Sequence, residues 1–286
     1  MSGARSNSGN PFTFRSALAL VVMGGALFVA LLWMIGTGLG MGGTNDGGGH
    51  GAGKGLNGYA AFHRLLEEQG HEVRRGRSNA ALQQYGLLVL TPPHDVDADE
   101  MNRIITEHRT IGPTLLIMPK WPAAPVPRSL RPKGAKDGWV MLGKPTSPEW
   151  VRELENGGSL DARIEPGNAG WSGLGLSGSL PVAKAVQTIS AGGITALIRD
   201  TRGQALAALV EDGNDYGALS EATDAGPGSD GDESFYPMVI VAEPDLLDNY
   251  GFAKVESARL ASALVDAMTD GEPMPIVFDL TLNGLG

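Results

Sequence analysis

The sequence contains no cysteine. That absence excludes thiol nucleophiles, disulfide frameworks, thiolate-held zinc or iron–sulfur centres and dithiol redox chemistry. Excess positive charge is missing too. Lys and Arg total 22 against 32 Asp and Glu, a formal net charge of −10, so a broad basic surface for nucleic acid is not expected. Glycine is abundant, at 42 of 286 residues, but no Gly-X-Y period accompanies it, and a collagen-like rod is excluded. Hydrophobic residues make up 42% of the chain, enough to build a folded core. Acids are absent from one stretch in particular: residues 1–45 carry Arg5 and Arg15 and no Asp or Glu.

Within that stretch, Ala17 to Ile35 reads ALALVVMGGALFVALLWMI, without a charged side chain. As a helix it would extend about 28 Å, close to the roughly 30 Å of a bilayer's hydrocarbon core. Trp33 stands near its far end, where an indole suits the membrane interface. Arg5 and Arg15 precede the run and the next base is Lys54. The positive-inside rule then predicts a cytoplasmic N-terminus over residues 1–16 and one transmembrane helix over 17–35. Everything beyond would lie outside the inner membrane, in a bacterial periplasm. A cleaved signal peptide is the rival reading. It would carry a shorter apolar region and a clearer small-x-small site than Gly36-Thr37-Gly38. Residues 36–55 hold 11 glycines and read as a flexible linker, leaving an extracytoplasmic domain over 56–286. Gly48 to Lys54 imitates a phosphate-binding loop. Gly55 replaces the required Ser or Thr, and no strand precedes it.

From Asn57 onward, helical and apolar-strand patterns alternate. Spacing and caps predict helices over 58–69 (capped by Asn57), 78–84, 98–111 (capped by Asp97), 147–154 and 253–268. Continuous apolar runs predict strands at 87–90, 114–118, 238–242 and 276–280, covered on both faces, with a further short strand at 72–75. Residues 139–142 read as another strand, and 186–189, 194–199 and 205–211 as three antiparallel ones. Five prolines make 119–136 an extended loop, and 212–234 is an acidic loop. The expected fold class is α/β. We expect an open, mainly parallel sheet with helices on both faces and an antiparallel hairpin extension, preceded by the one transmembrane helix.

Three segments carry a resemblance. They are Lys54-Gly55-Leu56-Asn57-Gly58-Tyr59, Leu65-Leu66-Glu67-Glu68-Gln69-Gly70-His71-Glu72-Val73, and Leu87-Leu88-Val89-Leu90-Thr91-Pro92-Pro93. Together with Val239 to Gly251 (VIVAEPDLLDNYG), they resemble the bacterial domain-of-unknown-function family 4350 over most of residues 54–282. The resemblance implies a class I glutamine-amidotransferase-like α/β domain in a membrane-anchored protein, similar to the extracytoplasmic part of gliding-motility transporter auxiliaries. It also implies a system that includes a MoxR-type ATPase. Many members resemble two-span proteins, with a second membrane span after the domain. The sequence ends at Gly286 before any such span, so the expected anchor is either single or completed beyond it.

The chemistry that such a fold could host is thin here. An amidotransferase needs a cysteine at a strand-to-helix elbow, and there is none. Gly170-Trp171-Ser172-Gly173-Leu174 and Gly175-Leu176-Ser177-Gly178-Ser179 both miss the last glycine of a serine elbow and read as a glycine-rich loop. The five histidines form no H-E-x-x-H, and the EF-hand-like start at Asp212 fails at Tyr216 and Thr223. No catalytic residue, metal or cofactor is therefore expected. What remains is a set of polar residues following buried strands, where ligands of open α/β sheets collect. His94 and Asp95 follow one strand, Lys120 and Trp121 the next, and Asp245, Asp248 and Asn249 a third. They are the candidate crevice; turn-forming and capping roles are the alternative reading. The expected function is a non-catalytic interaction or scaffold component of an inner-membrane assembly, partnered by the membrane and another protein. The alternative is a small-ligand-binding domain or cryptic hydrolase with its site at the strand ends. An uncleaved anchor predicts that the full chain stays in the membrane pellet after alkaline carbonate washing. Recovery in the supernatant with a mature N-terminus beyond residue 36 would contradict it.

Overall fold

The computed structural model of the chain describes Leu18 and residues 20–29, 46–135, 139–223 and 235–286. The chain divides into two compact units, Met1–Gly43 and Thr44–Gly286. In the first, residues 20–29 are helical and exposed. Among the described residues no helix is long and apolar enough to cross a membrane, and the remainder of the expected 17–35 span lies outside them.

The second unit runs in chain order through α1 (Ala60–Glu68), β1 (Val73–Gly76), α2 (Asn79–Leu82), β2 (Leu87–Leu90), α3 (Ala98–His108) and β3 (Thr114–Ile117). A two-stranded ribbon follows, β4 (Ala123–Pro125) with β5 (Val140–Leu142). Next come β6 (Asp161–Glu165), β7 (Gly170–Gly173), β8 (Leu176–Ser179), β9 (Val186–Ser190), β10 (Ile194–Asp200) and β11 (Ala205–Val210). The short α4 (Ala218–Glu221), β12 (Met238–Val241), α5 (Val255–Met268) and β13 (Ile276–Asp279) complete it.

Five strands lie parallel in the order β1-β13-β2-β3-β12. Every residue of β2, β3, β12 and β13 is buried, which is why these segments are near-continuous apolar runs, interrupted by Thr114 and Asp279, rather than alternating ones. Successive side chains point to opposite faces. Leu87, Val89, Leu115, Ile117, Val239 and Val241 pack with the apolar stripes of α1 and α5. Leu88, Leu90, Leu116 and Ile240 pack with Leu82 of α2, with Met101, Ile104 and Ile105 of α3, and with Trp150. Helices thus cover both faces, as the pattern predicts. On the β12 side the sheet continues antiparallel through β11, β10, β7 and β8, while β9 bridges β11 and β6.

The differences from expectation have identifiable causes. The predicted helix at 147–154 is a 3-10 turn over Glu149–Glu153. The glycine-rich stretch read as loop contains β7 and β8. A Cβ at Gly173 would stand 2.3 Å from the Leu197 carbonyl of β10, so this glycine permits close strand pairing rather than a turn. The 119–136 loop contributes β4, and the acidic 212–234 segment contributes α4.

The largest correction concerns the expected flexible linker. Its described part, residues 46–55, is folded into the domain, with His50, Gly51, Ala52, Gly53 and Gly55 buried. The Gly53 amide donates to the His50 carbonyl at 2.8 Å and the Ala60 amide to the Gly53 carbonyl at 3.1 Å. A Cβ on Gly58 would stand 2.2 Å from the Gly53 carbonyl oxygen. Glycine serves close backbone packing here, not chain mobility. Gly58→Ala is accordingly expected to destabilise the protein by about 1–3 kcal/mol in urea unfolding. Gly192→Ala, whose Cβ meets nothing within 4 Å, is expected to change it by less than about 0.5 kcal/mol.

Candidate functional site

Parallel β2, β3, β12 and β13 end at one edge of the sheet, and the segments leaving them converge there. The glycine-rich loop of residues 46–58 closes another side. Between them lies a cavity of about 670 Å³. It occupies the position where open α/β sheets bind ligands.

Beneath it is a charge cluster. Register pairs Ile117 of β3 with Val241 of β12, so Lys120 and Glu243 leave adjacent strand ends. The Lys120 ammonium is fully buried. It is held by Glu243 Oε1, by Asp245 Oδ2 at 2.8 Å and by the Ala185 carbonyl at 3.1 Å. Its three hydrogens therefore all have acceptors. Asp245 takes a second bond at Oδ1, from the Trp121 indole at 2.6 Å. Glu243 accepts the Asp245 amide at 3.0 Å and, through Oε2, the Gln187 amide of β9 at 2.7 Å. The Gln187 side-chain amide donates to the Ala242 and Pro119 carbonyls at 2.6 and 3.2 Å.

Asp248 completes the group. Its Oδ1 accepts the Gly251 amide at 2.8 Å, while its Oδ2 is buried without a partner among the described residues. Burial first, then the neighbouring Asp245, holds its carboxyl well above the usual carboxylate range. Burial pushes Glu243 up to about 7, with Lys120 working against the rise. For Lys120 burial lowers proton affinity, but the Glu243 and Asp245 charges outweigh it and the ammonium is retained. Tyr59, which also lines the cavity, is raised by burial and then by Asp248. Three carboxyl groups around one ammonium leave excess negative potential, and a proton on Asp248 relieves it.

The sequence-derived candidates divide into three groups. Lys120, Trp121, Asp248, His94 and Asp95 all line the cavity. His94 is half-buried, its Nε2 at 3.0 Å from the Thr146 carbonyl, and Asp95 is exposed. Asp245 lies behind the lining, orienting Lys120 and Trp121. Asn249 does not belong to the crevice. Its Oδ1 accepts the Ala61 amide at 2.8 Å and its Nδ2 donates to the Gly53 and Gly55 carbonyls at 3.0 and 2.5 Å. It thereby caps α1 and clamps the glycine loop. Asn57, the expected cap, instead donates to the Gly47 carbonyl at 3.2 Å. Asp97 does cap α3, accepting the Asp99 and Glu100 amides at 3.0 and 3.2 Å.

Glu243, Gln187, Tyr59 and His50 were not legible as site residues. Glu243 had a signal, an acid directly after an apolar strand; Gln187 had none, because an antiparallel strand delivers it. His50 is buried, and its Nδ1 accepts the Ala52 amide at 3.2 Å. That places the proton on Nε2, 3.0 Å from Asp46. Among the described residues no group of three or more His, Asp or Glu could hold a metal ion.

Linkage gives the cluster a pH signature. Raised carboxyl pKa values stabilise the fold below the ordinary range near 4 and lose that contribution as pH rises through the folded value, about 7 for Glu243. Buried His63 and His108, lowered by desolvation, act with the opposite sign, so the informative quantity is a difference between variants. Asp248→Asn is expected to gain stability relative to the wild type as pH rises from 5 to 8 in urea unfolding. A pH-independent difference would refute the buried carboxyl described above.

Comparison with known proteins gives one family. The model of a domain of unknown function, DUF4350, matches residues 54–265. No curated protein matches the chain. The matched stretch spans α1 through most of α5 and includes every element of the charge cluster, and the chain belongs to the DUF4350 family.

Proposed function

We propose that this protein is a membrane-anchored, extracytoplasmic binding module that takes a small polar ligand in the strand-end cavity. One observation carries the reading. A cavity of about 670 Å³ is lined by Asp248, a fully buried acid with an oxygen that no described residue satisfies. A buried polar atom without a partner costs about 1–3 kcal/mol, and two of those among the described residues, Asp248 Oδ2 and Asn57 Oδ1, belong to residues lining this cavity, which supports a missing partner there. Trp121, oriented by Asp245, offers an aromatic wall. The apolar run at 17–35 supports tethering, and the lack of a cysteine or a serine elbow supports binding rather than covalent turnover.

The test is thermal unfolding of the full chain in detergent against a diamine, an amino sugar, a dipeptide and a dicarboxylate at millimolar concentration. One class is expected to stabilise the fold, by about 2.7 kcal/mol at 100-fold over its Kd. Trp121→Ala is expected to abolish that shift. No shift with any class would overturn the reading.

A second reading, docking of a protein partner in an inner-membrane assembly, is supported by a separate surface. Leu130, Trp139 and Met141, on and beside the β4–β5 ribbon, are exposed by 64%, 50% and 45%. The MoxR-type system that the family resemblance implies belongs to this reading. A photocrosslinker at position 130 is expected to give one discrete adduct at native expression, lost in Trp139→Ala. Absence of an adduct would count against it.

A further inference from the structure

The surroundings of the cavity also restrict the chemistry of its ligand, an inference that rests on the cavity being a binding site. Among the Lys and Arg of the described residues, Lys120 alone lines the cavity. Its three hydrogens are already given to Glu243, Asp245 and the Ala185 carbonyl. The two lining histidines are engaged as well, His50 with Asp46 and the Ala52 amide, and His94 against the Thr146 carbonyl. An anionic ligand would find no Lys or Arg free to pair with it among the described residues.

Carboxyl groups, by contrast, are in surplus. Asp248 is 1% exposed and its Oδ2 is unpartnered. Asp95 and Glu100 line the same cavity, and among the described residues neither side chain makes a hydrogen bond or ion pair. Trp121 adds a ring that already carries the Lys120 ammonium 4.9 Å from its centroid, a geometry that suits a positive charge. The space is far larger than an ion needs, and no ligand set for a metal is present among the described residues. A charged head with an organic body fits both facts.

We propose that the ligand is a small organic cation, a primary amine or guanidinium compound, whose charged head is bound by Asp248 while Asp95 and Glu100 attract it at the mouth. The head supplies the N–H donors that Asp248 Oδ2 lacks. It also neutralises the excess of carboxyl groups around Lys120, replacing a proton on Asp248 with a fixed positive partner.

The test uses three probes with the same five-carbon spacer and different charge: 1,5-diaminopentane, 1,5-pentanediol and glutarate. Each is titrated calorimetrically into the full chain in detergent. The diamine is expected to bind about tenfold or more tighter than the diol or the diacid. Asp248→Asn, checked for folding by urea unfolding, is expected to weaken the diamine about tenfold and leave the diol unchanged. Asp95→Asn/Glu100→Gln, both at the surface, is expected to weaken it about threefold and reduce its salt dependence. Should Asp248→Asn fail to fold, this double variant decides the question. Equal or tighter binding of the diol or the diacid would overturn the cation assignment while leaving the cavity as a site. Failure of all three probes overturns the cation assignment, and the cavity itself then stands or falls with the broader panel. Full diamine affinity in both variants would overturn the role given to the acids.

Discussion

The ammonium of Lys120 joins the two halves of this fold. It leaves the end of a parallel strand and meets two carboxylates from the next strand end and a carbonyl just ahead of β9. A charge this deep is tolerable only because every hydrogen has an acceptor and each partner is held in turn. Gln187 and the Asp245 amide hold Glu243, and the Trp121 indole holds Asp245. Shape at the sheet edge therefore depends on electrostatics as much as on apolar packing. Removing one member would leave the others buried and uncompensated.

That arrangement also explains why the crevice exists. Asp248, one turn further along, is left lining the space with half its carboxyl unsatisfied. The proline-rich departures after β2 and β3 keep the chain extended over the edge, since Pro92, Pro93, Pro119 and Pro122 cannot continue a strand ladder. Cavity and cluster are thus two results of one geometry, a parallel sheet whose apolar strands β2, β3 and β12 are each followed by polar residues.

Much of the fold was legible because burial leaves a periodic trace. Leu87–Leu90, Thr114–Ile117 and Met238–Val241 announce themselves as strands covered on both faces. Asp97 announces a helix start, and the structure uses it so. The polar residues after those strands were legible by position, and His94, Asp95, Lys120, Trp121 and Asp248 do share one cavity. What failed were residues whose role is set by distant chain. Asn249 looks like a crevice residue from its neighbours, yet it caps a helix 188 positions away. Gln187 reaches the cluster through antiparallel pairing that local pattern does not specify. Glycine misled twice, at 46–55 and at 170–178, because composition cannot distinguish freedom from tight contact.

The strap of residues 46–58 has a mechanical corollary. It is at once the wall of the cavity and the first described stretch of the domain after the apolar N-terminal run. The Asp46–His50 contact, the Asn57–Gly47 bond and the grip of Asn249 hold it against the domain. The rim of the vessel is thus also its hinge pin: a substitution that loosens these contacts reshapes the wall as well.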